Sequence, residues 1–305
     1  MKECPCVMTE ASRAFERWVS LVGEAPTPIL DRFGGVGLVR GEFFMRRVLR
    51  SVLHDDVRKS IAAYLDSLCA AMNGREVWYR TADLWSEEAA VLDGTQYLVA
   101  EGNPIVGVRG VRRSLAAPDE FVAECQVLAE VGARHGNLRV LFPFVADEHE
   151  FARASEIARD SGVMAPIGSM VEVPSAALRA GAIADAGASL LLVGMNDLSC
   201  LTCGRERSPG FADKLHPAVQ NLISATVLSA SERSIRCGVA GSLSTEVIAM
   251  AQACGADFAT VHYSQARQLF WPEEQTWPDE GLEFEVKVRT KEAIRRRAQN
   301  ASGNG

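Results

Sequence analysis

Three arginines stand at the ends of short runs rich in β-branched residues: Arg40 closes GVGLVR, Arg80 falls in VWYRT and Arg109 closes IVGVR. Further along, Glu172 ends PIGSMVE, Asn196 and Asp197 follow SLLLVG, and Cys237 lies in SIRCG. Arginine presents a planar, permanently charged fork suited to phosphate and carboxylate, so several together imply a small, multiply anionic ligand rather than a polymer. Glu172 and Asp197 offer hard oxygen ligands in the number typical of Mg²⁺, which keeps waters and completes its shell from the substrate. A divalent ion beside an enolate oxygen would stabilise developing negative charge, and a thiol at Cys237 would stand nearby to give or take a proton. A single arginine usually marks a solvated face, and an isolated cysteine is usually a small buried hydrophobe. It is the coincidence of three arginines with two carboxylates at matching positions that makes a site.

Such residues converge only if the runs are strands of one sheet. Eight runs qualify, at 35–40, 77–81, 105–109, 138–145, 166–172, 189–194, 234–238 and 257–262. Segments with helical spacing of apolar residues lie between them, at 119–134, 148–161, 175–186, 216–231 and 244–254. Eight strands alternating with helices predict an α/β protein with a closed (β/α)₈ TIM barrel, with a doubly wound open sheet as its rival. In the barrel, function gathers at the carboxyl ends of the strands, where the arginines and carboxylates fall. Residues 1–33 read as a helical lead-in, with a helix over 10–22, residues 34–270 as the barrel, and residues 271–305 as a proline- and acid-rich linker with a basic tail. The tail carries Lys287, Arg289, Lys291, Arg295, Arg296 and Arg297, and its expected state is a solvated helix face with a frayed end.

Composition narrows the partners. A net charge of −7 opposes the basic field that phosphate-backbone binding needs, so nucleic acid is not an expected partner. No apolar stretch reaches the length of a membrane span and the N-terminus lacks a signal-peptide core, which predicts a cytoplasmic protein. The eight cysteines then read as reduced thiols, and neither Cys4–Cys6 nor Cys200–Cys203 has the companions of a zinc site.

The blocks GVGLVRGEFF, YRTADLW, NPIVGVRGVR, LFPFV, GSMVEVPSAA, VGMNDLS, HPAV and CGVAG occur in one order along 34–268. In that order and spacing the chain resembles the phosphoenolpyruvate-utilising enzymes, among them phosphoenolpyruvate synthase, pyruvate phosphate dikinase and enzyme I of the sugar phosphotransferase system. The resemblance implies a (β/α)₈ phosphoenolpyruvate/pyruvate-binding barrel. Arg40, Arg80 and Arg109 would bind phosphoryl and carboxylate groups, Glu172 and Asp197 would hold Mg²⁺, and Asn196 and Arg207 would contact substrate. Cys237 would protonate the enolate carbon. The pattern is broken where Val239 follows Cys237-Gly238, and at Met195 and Cys200 beside Asn196-Asp197. None of the five histidines sits in a Gly-rich Thr-Ser-His context, so the resemblance places the phosphohistidine on a separate carrier protein. It also makes a homodimer an expectation. Three functions follow in order: phosphotransferase-like exchange of phosphoryl between phosphoenolpyruvate or pyruvate and that histidine; aldolase-like carbon–carbon bond chemistry on a 2-keto acid enolate; and a non-catalytic barrel that senses ligand or docks a partner. His262, at the end of the last strand, is a further candidate for the pocket wall.

Overall fold

Eight parallel strands pair in chain order, and the last returns to the first, closing a barrel: β1 (Glu16–Leu21), β2 (Gly35–Arg40), β3 (Val77–Arg80), β4 (Leu138–Phe142), β5 (Ile167–Val171), β6 (Leu190–Gly194), β7 (Arg236–Gly241) and β8 (Phe258–His262). The computed structural model describes residues 14–96, 101–207 and 213–302. Closure removes every sheet edge, so each strand satisfies its backbone groups on both sides.

Side chains alternate across each strand with a period of two, and here the alternation separates two cores. Trp18, Leu38, Trp78, Leu141, Met170, Leu190, Leu192, Ala240 and Phe258 fill the barrel interior. Val19, Val39, Val77, Val140, Val171, Leu191, Cys237, Val239 and Ala259, of the opposite parity, join the helices in the outer core. Trp18 stacks on Phe258 with centroids 4.1 Å apart. The crowding explains Gly238, whose absent Cβ would lie 2.4 Å from the Phe258 ring.

Two elements differ from the sequence reading. The stretch expected as a lead-in helix contributes β1, which pairs with β2 on one side and β8 on the other, Trp18 lying opposite Gly35 and Thr260. Phe15, Trp18, Val19 and Val22 recur at helical spacing, which is why the stretch reads as a helix. The ladders of β2 and β8 decide otherwise, since without a strand between them both would be open. In compensation, 105–109 is no strand: it is a loop leading into the helix Val111–Ala116. Cys4 and Cys6 and the beginning of the expected lead-in helix lie outside the described residues.

The C-terminal helix Leu282–Ser302 is not a free solvated tail either. Val286 packs with Val22 and Phe43, and Thr290 is buried and accepts a hydrogen bond from Arg46 Nε at 3.1 Å. Among the described residues no helix is long and apolar enough to cross a membrane.

If β1 is a barrel stave, Trp18→Ala should leave a large void in the interior and lower stability by about 3–5 kcal/mol. Denaturant unfolding followed by circular dichroism reads this; a loss below about 1 kcal/mol would remove β1 from the barrel.

Candidate active site

Strand parity selects what points into the mouth. Arg40 follows Leu38, Arg80 follows Trp78, Glu172 follows Met170 and His262 follows Thr260, so each is one step beyond an interior position and lies at the carboxyl rim. Asp197 lies in the first turn of the helix Met195–Cys203, which begins as β6 ends, and Asn196 precedes it. Arg207 comes from the turn after that helix, and Arg109 from the residues just before Val111. All of them line one cavity of about 460 Å³, with Glu42, Asp83, Trp85, Gly241, Glu283, Lys287 and Lys291.

The charges inside it alternate. Arg40 Nη1 donates to Glu283 Oε1 at 2.8 Å and Nε to Glu42 Oε1 at 3.1 Å. Arg80 Nη2 donates to the same Glu42 oxygen at 2.5 Å, and its Nη1 lies 3.7 Å from Asp83. Asp83 is gripped by Arg109 through Nε at 2.9 Å and Nη2 at 2.5 Å, and Arg109 reaches on to Asp197 Oδ2 at 3.3 Å. Arg207 Nε closes the series, 3.2 Å from Asp197 Oδ1. Arg109 is only 1% exposed and its guanidinium lies 4.3 Å over the Phe144 ring, so a loop residue is held as firmly as a strand residue would be. Burial alone would raise the carboxyls of Glu42 and Asp83, but the guanidiniums around each outweigh it and hold both below the ordinary range.

Glu172 and Asp197 behave differently. Both are buried, and Glu172 Oε2 accepts a hydrogen bond from Phe144 N at 2.8 Å. Burial, then the neighbouring Asp197, push the Glu172 carboxyl up to about 7 against the pull of Arg80. Gly194 makes room for it, because a Cβ there would meet Glu172 Cγ at 2.4 Å. Asp197 Oδ1 has no aligned hydrogen-bond donor. A pair of buried carboxylates that crowd one another suits a hard divalent cation. Among the described residues no cluster of three or more His, Cys, Asp or Glu could hold a metal, so such a cation would need further oxygens from water or ligand.

Cys237 is a correction. The sequence reading ends the seventh strand near it, whereas β7 runs on to Gly241, and the mouth end is Ala240 and Gly241. Cys237 stands opposite Leu191 low in the barrel, with parity that turns its thiol into the outer core. Its backbone N donates to Asp257 Oδ2 at 2.8 Å, and burial pushes the thiol's pKa up. A protonated, enclosed thiol some 10 Å of strand below the rim handles no proton there.

Six of the seven other expected residues meet directly in this alternating series or beside it: Arg40, Arg80, Arg109, Glu172, Asp197 and Arg207. Asn196 joins them at the wall, its Oδ1 accepting from Ser242 N at 3.4 Å. Sequence reasoning missed Glu42 and Asp83, although each follows its arginine at close spacing, in VRGE and YRTAD. It had no signal for Glu283, Lys287 and Lys291, which reach the mouth only because the C-terminal helix folds back over it.

The family profile described as "PEP-utilising enzyme, PEP-binding domain" matches residues 18–268, and the chain belongs to that family. The probable phosphoenolpyruvate synthase of Pyrococcus horikoshii is 30% identical over 227 residues, covering 68% of this chain and 28% of that protein. The phosphoenolpyruvate-protein phosphotransferase of Streptomyces coelicolor is 34% identical over 230 residues, covering 72% and 39%. The chain therefore spans well under half the length of these relatives. Among solved structures, a magnesium/glyoxylate complex of Haloferax volcanii malate synthase superposes with a TM-score of 0.52 at 14% identity, over 88% of this chain and 79% of that one. An HpcH/HpaI aldolase/citrate lyase family protein from Burkholderia cenocepacia gives 0.50 at 14%, over 82% and 88%. At this identity these two show the barrel fold alone.

The Glu172 carboxyl sets a pH test. The folded protein holds this proton more tightly than an unfolded chain whose glutamates titrate near 4.5, so the stability it lends is complete below 4.5 and is lost as pH rises through about 7. Glu24 and Glu124, also buried and raised to about 7, add to the same slope. Without divalent cation, Tm should fall between about pH 5 and 8, and less steeply in Glu172→Gln. Mg²⁺ should restore part of the loss at high pH in the parent only. Identical Tm–pH curves for parent and variant would contradict the assigned environment of Glu172.

Proposed function

We propose that the mouth binds phosphoenolpyruvate or pyruvate with Mg²⁺ and passes a phosphoryl group to or from a histidine on a separate protein. The observation that carries this reading is the meeting of Arg40, Arg80, Arg109 and Arg207 with Glu172 and Asp197 in one cavity sized for a small acid. Arg80 and Arg109 are almost wholly buried and held from behind by Glu42 and Asp83, so their forks are oriented before any ligand arrives. They would take the phosphoryl and carboxylate oxygens, with Arg40 and Arg207 at the two ends of the series and Asn196 at the phosphoryl side. Glu172 and Asp197 would hold the cation. When bound, it supplies positive charge against negative charge developing on the ligand. The relatives named as phosphoenolpyruvate synthase and phosphoenolpyruvate-protein phosphotransferase support this reading.

A second reading has its own observation. With Cys237 turned away, the rim of β7 offers only Ala240 and Gly241, and no thiol meets the ligand's carbon. A face left open there could admit a carbon electrophile, which is the aldolase-like use of the same arginines and carboxylates. Mixing the protein with Mg²⁺ and oxaloacetate and following pyruvate release by NMR separates this from phosphoryl transfer, which would leave oxaloacetate untouched.

The anion site is tested with oxalate, a planar mimic of pyruvate enolate, by calorimetry. Affinity should require Mg²⁺ and fall about a hundredfold in Arg80→Ala and Arg109→Ala, while the exposed Arg295→Ala binds as the parent does. Cys237→Ala should also bind as the parent does. Parent-like oxalate binding in both Arg80→Ala and Arg109→Ala would place the anion elsewhere.

A further inference from the structure

We propose that His262 is the base that removes a proton from the methyl carbon of a 2-oxo acid in this mouth, with Glu283 as its positioning partner; this rests on the pyruvate-class reading above. His262 is the last residue of β8, on the strand beside the Ala240–Gly241 rim, where Val261 pairs with Gly241. It lines the same cavity as Glu172, Asp197 and the arginines, and its side chain keeps 17% exposure, as a group that meets ligand must. Its Nδ1 lies 3.6 Å from Glu283 Oε2. Glu283 cannot drift, because its other oxygen is held by Arg40 at 2.8 Å and Lys287 at 2.7 Å. Glu283 belongs to the C-terminal helix, beyond the residues 18–268 that match the family.

The other groups at the mouth are unsuited to the task. The arginines, Lys287 and Lys291 are donors without an acceptor atom, and Lys287 is held on Glu283. Glu42 and Asp83 are pinned between guanidiniums, and Glu88 uses one oxygen on Arg46 and the other on Trp85 N. Glu172 and Asp197 are the cation's ligands in this reading. His262 remains. The groups that face it are Glu283 and Lys287 from the C-terminal helix, Arg40 from β2 and Arg80 from β3. Its enclosure, with the cations Arg40 and Lys287 and against the pull of Glu283, keeps the imidazole's pKa down at about 4, so it is unprotonated at ordinary pH.

In the step proposed, a methyl C–H bond of pyruvate breaks, the proton passes to His262 Nε2, and the C–H electron pair forms the carbon–carbon double bond while the carbonyl pair moves onto oxygen. The enolate and an imidazolium result, the latter with Nδ1–H turned to the Glu283 carboxylate. Reversal returns a solvent-derived proton to the same carbon, so atoms and charge balance without another reagent.

Exchange of pyruvate methyl protons with deuterated water, followed by NMR with Mg²⁺ present, tests it. The parent should exchange, and His262→Gln should be slower by about 10²–10⁴-fold while binding oxalate normally. His262→Ala should regain exchange on addition of imidazole, which a merely structural histidine would not allow. Glu283→Gln should lower kcat for exchange more than it alters KM, and Cys237→Ala should exchange at the parent rate. Exchange at the parent rate in His262→Gln overturns the proposal. So does a parent that binds oxalate with Mg²⁺ yet exchanges nothing. A parent that does not bind oxalate fails at the earlier step and brings down the reading of the site itself.

Discussion

Burying charge at the end of a barrel is tolerable only if every charge has an opposite neighbour. An isolated guanidinium or carboxylate in such a place would carry a desolvation cost of several kcal/mol. The mouth meets this constraint with an alternating series, Glu283–Arg40–Glu42–Arg80–Asp83–Arg109–Asp197–Arg207, in which each member is held by the next. The series does more than cancel charge. It fixes four cationic forks around one cavity while leaving Glu172 outside the pairing. That carboxylate, with Asp197 beside it, is what a cation would need.

The sequence reading reached the barrel and most of this site because both depend on local pattern: a β-branched run, a charged residue at its end, a helix after it. Arg40, Arg80, Glu172 and Asp197 were legible for that reason. Arg109 was assigned to the right place through the wrong element, since the IVGVR run has strand chemistry but lies in a loop, where stacking on Phe144 and pairing with Asp83 do what a ladder would have done. Cys237 failed because parity was undetermined. A one-residue difference in where a strand is taken to end turns a thiol from the mouth to the outer core. The residues 16–21 failed because their apolar spacing satisfies two periods, and only the vacancy between β2 and β8 chooses between them.

Long-range contacts were not legible at all. Nothing in LEFEVKVRTKEAIRRR says that Glu283 will lie on Arg40, 243 residues away in sequence, or that Thr290 will bury itself against Arg46. These contacts make the basic segment part of the mouth's wall rather than an appendage. The family match ends at residue 268, before the helix that supplies this side of the cavity.

The pairing of β1 with β8 also governs the order of assembly. Strand Glu16–Leu21 must wait for Phe258–His262 before it has both its neighbours, and contacts of such sequence separation are slow to form because a long loop is closed before they repay it. During synthesis the interior face of Trp18 has no Phe258 to stack on until more than 230 further residues have been made. The open intermediate exposes two unpaired edges, β1 and β7, each able to template a wrong partner. A circular permutation that places β8 before β1 in the chain, with the C-terminal helix in the crossover between these parallel strands, would heal this seam by making the slowest contact a local one.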